Sequence, residues 1–290
     1  MSPTAAPVIS LDALAASIPN GAKIALPPDY SGVAMAATRA ILRRAKPHSK
    51  PLRDLHLVAV PVVGIQADML IGAGAVACVE AAAVTLGEHG LAPRFMAALK
   101  SGDIEMRDAT CPAIHAGLQA AEKGIPFMPL RGIIGSDLLR VRPDWTIIDN
   151  PLAETGPLSE SGVRDPIVIL PAIRPDIALF HALKADKHGN VWVGIRRELM
   201  LMAHASRATY VTVERIEDVD FMANPETAAG TIPSLYISSL TIAPNGAAPV
   251  GLVGAYEPDR AGLAEYAAAA RTADGFNAWL ARALDERVLA

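Results

Sequence analysis

Apolar positions in this chain fall into two rhythms. Short runs of consecutive apolar residues, bounded by Pro, Gly or acids, read as buried strands over residues 23–26, 55–60, 76–80, 104–107 and 126–130. The same signature recurs over 167–170, 177–182, 191–193, 210–213 and 240–242. Between them, apolar residues recur at helical spacing over 11–18, 33–41, 93–100, 112–123 and 198–205, and a helical tail follows over 259–270 and 274–288. Ser31 is placed to cap the second helix, Pro112 to open the fourth and Gly124 to end it. Strands alternating with helices predict the α/β class. The chain divides into a loose tail (1–10), one α/β domain (11–245) and a C-terminal helical extension packed on it (246–290). Residues 140–166, with many Pro, Gly and acids, form an excursion or short strands away from the main core.

The densest cluster of unusual residues runs from Pro61 to Gly74. It follows the strand that starts at Leu55. A chain leaving a strand through Pro61 and Gly64 turns at the carboxyl edge of a sheet, where open α/β folds place their ligands. Asp68 then stands among apolar neighbours, and Gly72 and Gly74 allow close backbone approach.

Composition narrows the function classes. Apolar residues make up 51% of the chain but aromatics only 4%, so the core is built from Ala, Val, Leu and Ile. A net charge of −4 with no basic run argues against nucleic acid and against an anionic membrane surface. Two isolated cysteines, Cys78 and Cys111, make neither a disulfide framework nor a structural zinc site. The N-terminus lacks a positive n-region, and the apolar window over 69–86 is broken by Gly72, Gly74 and Glu80. A cytoplasmic protein with reduced thiols and no membrane segment is expected.

Candidate chemistry is incomplete. Gly72-Ala73-Gly74-Ala75-Val76-Ala77 spells a dinucleotide fingerprint, but that motif needs a strand directly before it and a helix directly after, and here the context reads as a glycine turn. Asp68, Glu80, Glu88, Glu105 and Glu214 lie in or beside apolar runs, where burial raises a carboxyl pKa; each taken singly fits a capped turn or a paired surface acid better. Seven histidines show no metal-binding spacing, so no metal is expected. No nucleophile-elbow motif occurs. The chain has no obvious complete catalytic set.

Several stretches taken together resemble the α (A) chain of family I CoA-transferases, the glutaconate and 3-oxoacid group. They are Ala67-Asp68-Met69-Leu70-Ile71-Gly72-Ala73-Gly74, then Gly124-Ile125-Pro126-Phe127-Met128-Pro129 with Arg131-Gly132 to Gly135-Ser136-Asp137-Leu138. Lys184-Ala185-Asp186-Lys187-His188-Gly189-Asn190-Val191 and the strand Val211-Thr212-Val213-Glu214-Arg215-Ile216 complete the set. The resemblance spans roughly residues 10–245. It implies a mostly parallel sheet flanked by helices, of the sugar-isomerase and CoA-transferase type. It also implies a partner, the CoA-transferase β subunit, in a heterodimer or α2β2 assembly. That partner's E-x-G glutamate would form the covalent intermediates while this chain completes the pocket. Coenzyme A and acyl-CoA then enter as substrates with small carboxylic acids, and no permanently bound cofactor is implied. Glu160-Ser161-Gly162 spells E-x-G here but reads as a chance match in the irregular middle.

Under that resemblance no catalytic residue is assigned to this chain, and the substrate- and CoA-binding positions expected are at loop turns. Gly64, Ile65 and Gln66 would line the acyl pocket, with Gln66 or backbone N–H groups polarising the thioester carbonyl. Ser31 and Gly32 would offer a helix N-terminus to an anionic group. Gly135 and Ser136 would form a third loop at the same rim. Where the family carries a glycine loop after the first strand, this chain reads Leu26-Pro27-Pro28-Asp29-Tyr30-Ser31-Gly32, which is bulkier and stiffer. Two other readings share the fold: a ring-cleaving hydrolase acting on CoA thioesters, and a non-catalytic ligand-binding sensor.

Overall fold

The computed structural model describes residues 6–44, 52–153, 162 and 165–285. Seven parallel strands form its centre: β1 (Lys23–Leu26), β2 (Leu55–Ala59), β3 (Val76–Ala81), β4 (Glu105–Asp108), β5 (Ile177–Asp186), β6 (Ala208–Glu217) and β7 (Ser239–Ile242). Their spatial order is 4-3-2-1-5-6-7, with every neighbouring pair parallel. The chain therefore winds outward from β1 to β4, then returns to the other side of β1 as β5. Strands that leave β1 in opposite directions open a crevice at their carboxyl ends.

Alternation along the strands separates two cores. Ile24, Leu26 and Leu57 point to one face of the sheet, while Ala25, Val58 and Phe180 point to the other. The first face is covered by α1 (Leu11–Ala16), α2 (Met35–Arg43), α3 (Ile65–Gly72) and α4 (Pro93–Ser101). The second is covered by α5 (Cys111–Glu122) and α6 (Arg197–Ala205). Two C-terminal helices, α7 (Arg260–Ala269) and α8 (Ala273–Ala283), return to the first face through Tyr266 and Phe276. Small side chains let these layers approach closely: a Cβ on Gly117 of α5 would stand 2.6 Å from the Ile173 side chain.

One expectation changes. Pro7 to Ile9 are not loose, because Val8 bridges Leu240 and the flanking backbone groups bond to that residue at 2.8 and 2.9 Å. The middle excursion carries a strand of its own: Thr146–Asp149 joins Phe127–Leu130 and Pro166–Pro171 in a small antiparallel sheet. Among the described residues no helix is long and apolar enough to cross a membrane.

Candidate functional site

Three loops meet at the carboxyl edge of β1, β2 and β3. After β1, Pro27 and Pro28 keep the chain extended, and a 3-10 turn (Asp29–Ser31) follows. Gly32, at φ +84°, ends the turn; its O accepts from His181 N at 2.7 Å, and a Cβ there would fall 2.1 Å from the His181 carbonyl oxygen. The β1 loop is thereby fixed to β5 across the switch point. After β2 the chain runs through Val62 and Val63 to Gly64, the N-cap of α3. After β3 it runs through a 3-10 turn at Gly87–His89. Residues 250–266 close the far side. Together they enclose a cavity of about 590 Å³ whose wall is largely apolar, including Val62, Val63, Leu86, Leu252 and Leu263. A smaller cavity of about 160 Å³, lined by Ser31, Gly32, His181 and Arg196, lies on the other side of Tyr30.

Asp29 is the carboxylate built into the large cavity's inner wall. Its Oδ2 accepts from Ile65 N at 3.2 Å, so it caps α3 in place of a side chain that Gly64 lacks. Gly64 makes the contact possible, since a Cβ there would lie 2.0 Å from Asp29 Oδ2. Asp29 Oδ1 is buried with no hydrogen-bond partner. Burial pushes this carboxyl up to about 6, against the hydrogen bond from Ile65 N and with the help of nearby Asp68.

Other carboxylates inside the fold have cationic or hydrogen-bond partners. Glu214 accepts from His181 Nε2 at 2.8 Å, Tyr256 Oη at 2.9 Å, Gly246 N at 3.2 Å and Asn245 N at 2.7 Å. Its burial opposes ionisation, yet these bonds outweigh it and hold the carboxyl at about 2. Glu80 behaves alike: His56 and Arg142, the latter at 2.7 Å, hold it below the usual range despite burial. Both are thus paired acids, the reading favoured for each taken singly, although the donors come from neighbouring strands and loops that a local window does not show. Asp68 does shift upward through burial, although Tyr266 Oη and Phe95 N each donate to it at 2.7 Å.

The predicted site residues separate. Gly64 lines the large cavity and Ser31 and Gly32 the smaller one, so these three gather around Asp29 and Tyr30. Ser31 does not cap a helix: α2 begins at Met35, and the Ser31 hydroxyl donates to Glu198. Ile65 is fully buried in the core, and its N–H is taken by Asp29. Gln66 is also buried; its amide donates to Thr38 Oγ1 at 2.9 Å, and it lines neither cavity. Gly135 and Ser136 lie in the turn after Phe127–Leu130, where Ser136 Oγ accepts from Leu138 N at 3.2 Å; neither reaches either cavity. Glu160 and Ser161 lie outside the described residues. The glycines of the dinucleotide-like motif join α3 to the start of β3, which puts helix before strand and places them at the sheet's amino edge. Sequence reasoning missed Asp29 and the wall over 250–266. The only signal for Asp29 was a carboxylate directly after Pro27-Pro28 at a strand's end.

The Coenzyme A transferase family model matches residues 8–242. This chain belongs to that family. Within it, the chain is of the α (A) type, 31% identical over 255 residues to the α (A) chain of 3-oxoadipate CoA-transferase from Pseudomonas knackmussii, with 84% of this chain and 81% of the relative covered. It is 30% identical over 249 residues to the cholesterol ring-cleaving hydrolase IpdA subunit of Mycobacterium tuberculosis, covering 83% and 80%. The crystal structure of glutaconate coenzyme A-transferase from Acidaminococcus fermentans superposes with a TM-score of 0.82 at 26% identity, covering 96% of this chain and 88% of that one. The CoA-transferase motifs in this chain turn out to hold the scaffold. Asp186 accepts from His188 N, Asn190 N, Asn190 Nδ2 and Phe221 N, fixing the turn that leads to Val191. Asp68 ties α3 to α4 and α7.

Proposed function

We propose that this chain is the α subunit of a heteromeric CoA-transferase that moves CoA between an acyl-CoA and a carboxylic acid, with the nucleophilic glutamate on the β subunit. The observation that carries the reading is the open, apolar cavity at the carboxyl edge of β1–β3 in a chain of this family. Its volume suits an acyl group and part of a pantetheine arm. The division of labour is supported by a glutamate described above. Glu214 holds four donors, so the glutamate that lies deepest beside the cavity wall is not free to attack.

In this reading the partner's carboxylate attacks the thioester carbonyl, the C–S bond breaks, and a mixed anhydride and CoA thiolate form. The thiolate attacks the glutamyl carbonyl and releases the first acid. The acceptor acid then takes the same two steps in reverse. The apolar cavity wall orients the acyl chain for both transfers.

Intact-mass spectrometry of the purified heteromer, incubated with acyl-CoA, tests this. The expected result is a CoA-sized adduct on the partner with this chain unmodified. An adduct on this chain would overturn the division of labour. The identity to the IpdA subunit favours one second reading, hydrolysis of a ring borne on a CoA thioester, or of the thioester itself, by the same kind of heteromer. A cyclic acyl-CoA that gains one water and keeps its CoA, or free acid released in the absence of an acceptor acid with no trappable adduct, would select it.

A further inference from the structure

The cavity wall carries a charge pattern that bears on which acyl groups it accepts. Three acids line it, Asp29, Glu88 and Glu257, against Arg260 and His89. Arg260 is engaged by both oxygens of Glu88, at 3.1 and 3.3 Å, in an exposed pair at the rim. The amino end of α3 would ordinarily attract a substrate carboxylate. Here it is occupied by the protein's own Asp29, bonded to Ile65 N. A second carboxylate on a bound acyl chain would therefore meet a like charge where relatives named for 3-oxoadipate and glutaconate act on dicarboxylic acids. Meanwhile Asp29 Oδ1, buried and without a partner, leaves an acceptor to be satisfied.

Resting on the transferase reading above, we propose that Asp29 determines specificity: the site selects CoA thioesters whose acyl chain is uncharged and carries a hydroxyl group, and rejects those with a second carboxylate. The hydroxyl donates to Asp29 Oδ1 and completes the hydrogen bonding of a buried carboxylate. A dicarboxylic acyl chain brings no donor and adds a charge. Gly64 belongs to the same device, because any side chain there would drive the Asp29 carboxylate from its seat.

The test compares 3-hydroxybutyryl-CoA, butyryl-CoA and succinyl-CoA on the purified heteromer, by kcat/KM for thioester consumption and by Kd from calorimetry. The expected order is 3-hydroxybutyryl, then butyryl, then succinyl, with the first favoured over the last by about tenfold or more. Asp29→Asn, nearly isosteric, should relieve the succinyl-CoA penalty by about tenfold. Asp29→Ala should abolish the preference for the hydroxyl. Gly64→Ala, which keeps the carboxylate but displaces it, should shift the ratios in the same direction. Equal use of succinyl-CoA and butyryl-CoA by the wild type, or unchanged ratios in Asp29→Asn, would overturn the assignment. If no thioester is consumed, the transferase reading fails, and the ratios of Kd still decide the role of Asp29.

Discussion

Tyr256, in the wall of the large cavity, donates its hydroxyl to Glu214 Oε1 at 2.9 Å, tying that wall to β6. The same hydroxyl accepts from Ala247 N at 2.9 Å, so one oxygen joins the strand, the following loop and the cavity lining. Tyr256→Phe should cost about 1 kcal/mol of stability, the worth of the lost hydrogen bonds. It should raise KM for acyl-CoA more than it lowers kcat, which steady-state kinetics on the heteromer will separate.

Glu214 also sets a pH dependence. Its carboxyl is held at about 2 in the fold, below the ordinary 4.5, so it contributes stability above pH 4.5 that is lost as pH falls toward 2. The shift is worth at most about 3 kcal/mol, less after allowance for its partial exposure. Thermal melts between pH 7 and pH 3 should show Tm falling in this window. Glu214→Gln should lower Tm at pH 7 and flatten the fall; a parallel fall in the variant would remove Glu214 as its source.

Much of the scaffold could be read from the chain alone. Strands such as Leu55–Ala59 and the first half of Ile177–Asp186 carry apolar residues on both faces, broken only by a histidine in each, and announce themselves as short runs. Helix α3 does not, because Ile65 to Ile71 are all buried and leave no polar stripe to reveal a period. The candidate site was less legible still. Asp29, Gly64 and Tyr256 come from three loops far apart in sequence, and only the strand order brings them together. The capping role given to Ser31 failed for a related reason: its partner, Glu198, is 167 residues away.

Gln66 shows how burial reassigns a polar residue. With its amide on Thr38 and no face on either cavity, Gln66→Ala should act on stability, by about 1–2 kcal/mol, through the lost bond to Thr38 Oγ1, whose hydroxyl still donates to Ala34 O, and the space left behind. The heteromer's kcat should stay unchanged. A fall in kcat without a fall in Tm would return Gln66 to the substrate.

Asp68 and Tyr266 form the buried contact that fastens the C-terminal helices. Removing either leaves an uncompensated polar group, so Asp68→Asn and Tyr266→Phe should each cost about 1–3 kcal/mol. A double-mutant cycle in urea should give a coupling energy of about 1 kcal/mol or more. Additive losses would show that the two residues act separately.

The matched family segment ends at residue 242, while the cavity wall from Val250 to Tyr266 lies beyond it. Two tyrosines of that stretch reach back into the scaffold, Tyr256 to Glu214 of β6 and Tyr266 to Asp68 of α3. The wall that faces Asp29 is thus pinned at two points, and the residues between the pins, Glu257 to Leu263, can reshape the pocket while the pins keep it in register with the sheet.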